Sequence, residues 1–192
     1  MGDEDLTQQP PPPRREDYAR RTPREPIDRG PRLSPDAEAY LDVILPRLEA
    51  ERYEIAWGER DFDCVATLSR FEFFKFGFVD YTIVFVEFRS LNSPTLWSFS
   101  RAGFAFAERR GGMAMPGLQG ARFCFPVALI SEDDGAVQAV RDAAAPMHFG
   151  AFEFPCVFDL RDGELHYRQR SPIFGWAYFP GMRALAARLL QP

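Results

Sequence analysis

Histidine, cysteine and lysine are scarce in this chain of 192 residues, which holds two, three and one of them respectively. His148 and His166 have no second ligand at metal spacing, so a zinc site or a histidine-based triad lacks its parts. Cys64, Cys124 and Cys156 lie far apart, each beside apolar residues, which is the pattern of reduced core thiols rather than of a disulfide or zinc framework. With Lys75 as the single lysine, arginine carries nearly all the positive charge, a compositional bias to which no function attaches. No apolar run is long enough to span a bilayer, and the first residues lack the apolar core of a signal peptide. No membrane partner is expected, and a cytoplasmic location is. Also missing are a GxSxG elbow, a P-loop and a dinucleotide fingerprint. The glycine-rich "GGMAMPGLQG" has neither the lysine nor the helix start that cradling a phosphate requires, and reads as a flexible loop.

What the chain does have is apolar bulk. Its hydrophobic fraction is 46%, with 19 phenylalanines mostly inside apolar runs, which predicts one globular domain with an aromatic-rich core. A net charge of -5 supplies no positive field for a phosphate backbone, so nucleic acid is not an expected partner. Residues 1–33 hold the "PPPPRRE" tract and too few apolar side chains to offset the entropy of ordering. The tract fits a PxxPxR ligand in a polyproline II conformation, but its composition is that of a solvated, disordered spacer. The folded domain is expected to be 34–192.

Ser34 followed by Pro35 predicts a capped helix, with Ala37, Tyr40, Leu41, Ile44, Leu45 and Leu48 on one buried stripe and Pro46 kinking or shortening it. Strand-like runs follow at Tyr53 to Trp57, Phe62 to Leu68 and Thr82 to Leu91, an antiparallel meander. Ser93 and Pro94 repeat the cap-then-proline signal ahead of a helix to Arg109. Val127 to Ile130, opened by Pro126, predicts a short central strand, and Ala136 to Ala145 a helix. A hairpin is expected from Cys156 to Leu160 and Glu164 to Gln169, with His166 and Arg168 on its wet face. Met182 to Leu190 closes the chain as a helix with Leu185 and Leu189 inward. The order α-β-β-β-α-β-α-β-β-α predicts a mixed α/β sheet, an α+β arrangement in one domain, with helices packed on it.

Three motifs bear on function. "KFGFVDY", from Lys75 to Tyr81, resembles the RNP1 strand of RNA-recognition domains. It lacks the leading basic-glycine pair, and no helix separates the two strands before it, so Gly77 reads as a bend or bulge. "SEDDG", Ser131 to Gly135, sets carboxylates where α/β sheets bind ligands; capping and the helix dipole account for Ser131, Asp133 and Asp134. The aromatic "SPIFGWAYFPGM" either closes over the core or faces a partner.

The third is "TIVFVEFRSL", an apolar strand ending in Glu87-Phe88-Arg89. With an upstream aspartate and the order helix, three strands, helix, strand, it resembles the PD-(D/E)XK nucleases over roughly Asp36 to Ile130. The resemblance implies a restriction-endonuclease-like core, Mg or Mn held by carboxylates, and a basic residue that orients the attacking water. Glu87 and Arg89 share a face by strand periodicity. Arg89 stands where the family has lysine, and a guanidinium stays protonated. Asp80 lies an odd number of residues before Glu87, on the opposite face of a regular strand, so the second metal ligand would be Asp63 or Asp61 on the neighbouring strand. Without the metal, Glu87 and Arg89 would be an ion pair at the lip of the sheet.

Two functions follow as expectations. The first is a non-enzymatic domain without cofactor, serving as a protein-binding or scaffolding partner or as a homo-oligomer. The alternative is a metal-dependent phosphodiesterase with Glu87 and Asp63 or Asp80 as ligands and Arg89 positioning phosphate.

Overall fold

Ser34 opens the first helix as its chemistry predicts: extended backbone, its hydroxyl accepting from the Ala37 N–H at 3.3 Å, and proline in the first turn. A computed structural model describes residues 33–72, 77–110, 120–142, 150–171 and 178–192. The proline-rich tract and the glycine-rich loop therefore lie outside the described residues, apart from Leu33 and Gly120. Helix α1, Pro35–Ala50, runs on through Pro46, which falls near its end and removes a single backbone hydrogen bond there. Its expected stripe is buried except for Leu45, which packs against the core while partly exposed.

Strands β1 (Glu54–Glu59), β2 (Phe62–Glu72) and β3 (Gly77–Asn92) form the antiparallel meander, and helix α2 (Ser93–Arg110) carries the chain to β4 (Gly120–Asp134), parallel to β3. Helix α3 (Ala136–Asp142) and strands β5 (Ala151–Glu153), β6 (Cys156–Asp159) and β7 (Glu164–Tyr167) precede helix α4 (Phe179–Leu190). The sheet runs β1-β2-β3-β4-β6-β7, with β5 also on β4. It is a mixed α/β sheet with helices packed on it, in nearly the order the sequence predicts; β5 is the added element.

Alternation divides the sheet into two cores. Phe85, Phe125 and Phe158 pack with α1 and α4, while Val84, Ala128 and Val157 pack with α2 and α3. Both faces being covered, β4 is a continuous apolar run from Phe123 to Ile130.

Four local expectations are corrected. Pro126 sits inside β4 rather than opening it, at the point where β4 changes neighbour from β5, paired to Cys124, to β6, paired from Val127. Asn92, not Ser93, caps α2, its side-chain oxygen accepting from the Thr95 N–H at 3.0 Å. "SEDD" belongs to β4, since it pairs on with β3, and of its residues Asp133 caps α3 through the Val137 N–H at 3.1 Å. His166 is buried because α3 lies over the face that was expected to be wet. The cysteines are free and buried, as expected, and burial raises each thiol pKa above its ordinary value, that of Cys64 to about 12. None of them is a nucleophile in waiting. Among the described residues no helix is long and apolar enough to cross a membrane.

Candidate functional site

The β2–β3 ladder ends at Cys64 opposite Phe85, and β3 continues to Asn92 beside β4 alone. At Glu87 the N–H that β2 no longer meets is taken by the Asp63 carboxylate, at 2.8 Å. Glu87 in turn accepts the Ser34 N–H at 2.8 Å, so its carboxylate anchors the start of α1 to the sheet. Sequence reasoning offered Asp63, Asp61 or Asp80 as the acid beside Glu87, and Asp63 is the one the fold brings there; it missed Ser34, which is 53 residues away in the chain.

Burial raises the Asp63 pKa, and the neighbouring Glu87 charge pushes the same way, against the lowering effect of the Glu87 N–H. A carboxyl whose folded pKa is raised is costly to ionise in place. Its contribution to stability therefore falls as pH rises from the ordinary carboxylate value through the raised one. A cation between the two carboxylates would reverse that.

Arg89 is exposed and makes no ion pair among the described residues, so Glu87 and Arg89 do not form the expected pair there. Asp80 lies roughly 23 Å back along β3, seven residues at about 3.3 Å each, and on the other face. There it accepts from the Ser69 hydroxyl at 2.6 Å and faces Arg122 at 3.7 Å. Asp61 is exposed in the β1–β2 turn. Of the acids named in the sequence, Asp63 and Glu87 are brought together and Asp80 is not.

Sequence reasoning also missed three features that the turns and pairings of the fold assemble. Asp162, Glu164 and His166 gather at the β6–β7 turn with ligand atoms within 4.8 Å of one another. Arg141 Nη2 is 2.9 Å from His166 Nδ1. A guanidinium only donates, so Nδ1 is the acceptor and Nε2 carries the proton, which is the wrong tautomer for ligating a metal through Nε2. The Glu164 N–H donates to Asp162 at 2.9 Å, and of the three only His166 is buried, in contact with Arg141 of α3.

At the far end of the β2–β3 hairpin, Phe71 and Phe78 face each other across the strands in a T-shaped pair with centroids 5.5 Å apart, each 57% exposed. On the opposite face of the same hairpin end is a cavity of about 220 Å³ beneath the first turn of α4. Its polar edge is Arg70, Glu72 and Tyr81, with Arg70 Nε on Glu72 at 2.9 Å and the Tyr81 hydroxyl donating to the same carboxylate oxygen at 2.7 Å.

Comparison of the chain with protein-family models, with curated proteins and with solved structures found no match. The likeness to PD-(D/E)XK nucleases rests on the short motif and the element order alone.

Proposed function

We propose that this chain is a non-enzymatic binding domain that engages a protein partner, or a second copy of itself, through the end of the β2–β3 hairpin. The observation that carries the reading is the Phe71–Phe78 pair, two large aromatic rings more than half exposed and in mutual contact at a strand end. Single exposed apolar residues are ordinary on protein surfaces, whereas opposed aromatics supply the rigid contact area that anchors interfaces. The candidate catalytic acids support the same reading, because Asp63 and Glu87 each commit an oxygen to a backbone N–H.

Sedimentation velocity on the whole chain, together with crosslinking in lysate, tests this against the Phe71→Ser, Phe78→Ser double variant. Losing one exposed cross-strand pair changes stability by about 1 kcal/mol or less. Self-association or partner capture is expected to weaken at least tenfold while the thermal midpoint moves little. A wild-type protein that stays monomeric and retains no partner would sink the proposal.

A second reading, a metal-dependent phosphodiesterase of the PD-(D/E)XK kind, is favoured by the adjacency of Asp63 and Glu87 and the raised Asp63 pKa. Mg or Mn would lie between the two carboxylates, with Arg89 exposed nearby to meet a phosphate. Calorimetric titration with manganese separates the two readings. The binding-domain reading expects no saturable heat; binding in the wild type that disappears in Glu87→Gln would transfer the assignment to the enzyme.

A further inference from the structure

Strand β2 outruns its outer neighbour. Pairing with β1 ends at Glu54, opposite Thr67, while β2 continues beside β3 as far as Glu72. From Leu68 to Phe71 the outer side of β2 therefore has no strand partner among the described residues. Exposure changes at the same point. Ser69, Arg70 and Phe71 are exposed in succession, whereas on β3 directly across Gly77 is buried, Phe78 exposed and Val79 buried. A strand flanked on both sides alternates with its pleat; three exposed residues in a row mark an open edge, with backbone donors and acceptors facing outward.

The side chains of this edge select what joins it. Charge of one sign on an edge strand repels a second copy of the same strand. Here the charges are opposite: Arg70 and Glu72 lie two residues apart on one face, bridged at 2.9 Å, with Phe71 between them on the other. Antiparallel pairing of β2 with a second β2 about a two-fold axis sets one residue opposite its own copy. With Arg70 in that place, two guanidinium groups would face each other. With Ser69 there, Phe71 would face Thr67, a place that Glu54 already holds. With Phe71 there, Arg70 of each copy stands opposite Glu72 of the other, and the charges alternate in sign across the axis. On the opposite face Phe71 meets its own copy. Because Phe78 already stands across from Phe71 in β3, the rings of both copies form one continuous row, which covers aromatic surface that is 57% exposed on each ring.

We infer that the open edge of β2 binds a second copy of this chain, the two strands antiparallel about a two-fold axis at Phe71. This rests on the binding-domain reading and names its partner.

The test uses two single variants of the whole chain. Arg70→Glu places acids at both positions and Glu72→Arg places arginines at both, so each variant sets like charges against its own copy, and each lacks the bridge within the strand. Mixed together, the two are complementary. Sedimentation velocity at low salt is expected to show a reversible dimer in the wild type, micromolar or weaker for so short an edge. Each variant alone should associate about tenfold more weakly or worse, since attraction becomes repulsion at both symmetric pairs. The equimolar mixture should recover the wild-type affinity. A folding defect cannot produce that recovery, because both variants bring the same broken bridge to the mixture. The inference is overturned if the wild type stays monomeric at roughly 1 mM, if either variant alone associates as strongly as the wild type, or if the mixture associates no better than the variants do separately. The binding-domain reading outlives a monomeric wild type if Phe71 and Phe78 are needed to hold another protein. It outlives a failed mixture if the wild-type dimer is lost in the Phe71→Ser, Phe78→Ser variant.

Discussion

Replacing Phe85 by alanine is expected to destabilise the fold by about 3–5 kcal/mol, the cost of deleting a fully buried aromatic ring from a packed core. Phe85 has no exposure and lies on β3 between Cys64 of β2 and Val127 of β4, so sheet neighbours hold the site open on both sides. Its ring meets the edge of Tyr40 at 6.4 Å, and Tyr40 packs on Phe158 at 4.1 Å, which ties α1 to two strands of the sheet. Tyr40 cannot slide into the vacated space freely, because its hydroxyl donates to the Leu190 carbonyl at 2.8 Å. Set against a typical stability of about 5–15 kcal/mol, the variant would be marginal. Urea unfolding should show the midpoint falling by roughly 1–3 M with an unchanged slope. A loss under about 1 kcal/mol would mean that α1 is not held on the sheet through this ring.

The second large effect is expected at Gly103, where the α2 backbone lies close against the sheet. A Cβ there would stand 2.8 Å from Val84 Cγ2 and 3.3 Å from Pro126 Cγ, and the proline ring cannot rotate away. Valine at this position should cost about 1–3 kcal/mol through overpacking, in spite of the gain in helix propensity over glycine. The measurement is unfolding of Gly103→Val beside Gly181→Val: both exchange a helical glycine, but only the first meets the sheet. Equal stabilities would refute the claim that this glycine sets the separation of helix and sheet.

These two residues also show where sequence reading succeeds and where it stops. Thr82 to Val86 is an apolar β-branched and aromatic run, and Ser34-Pro35 is a helix start, so β3 and α1 are legible from local chemistry alone. Gly103 in α2 lets the helix lie close to the sheet, a role that a lone glycine in a helical run does not announce. Information carried between distant segments is not legible. Nothing near Glu87 announces that Ser34 will donate to it, nothing near His166 announces Arg141, and the ends of β4 depend on pairing with β3 rather than on its own composition. Pro126 looks like a strand boundary because proline lacks an N–H, and only the change of neighbour from β5 to β6 makes that lack harmless. For the candidate site, parity set Asp80 on the face opposite Glu87 but left Asp63 and Asp61 both open, and only the hydrogen bond from the Glu87 N–H to the Asp63 carboxylate separates those two. The cavity could not be foreseen, since Arg70, Phe123 and Tyr178 share no period or motif.

The central place of β3 has a consequence for the chain as it leaves the ribosome. Its antiparallel neighbour β2 is already made when β3 emerges, but its parallel neighbour β4 is complete only after α2 and the residues up to 119 have been synthesised. Until then the edge of Thr82 to Val86 is an uncharged, strongly β-forming segment open to pairing with another nascent chain. Asp80 stands on one side of that segment, and Glu87 and Arg89 on the other, in the positions that flanking charges take to discourage such pairing. The charges that give "VFVEFR" the look of a catalytic strand thus also bracket its most strand-prone stretch, where gatekeeper charges stand in aggregation-prone segments.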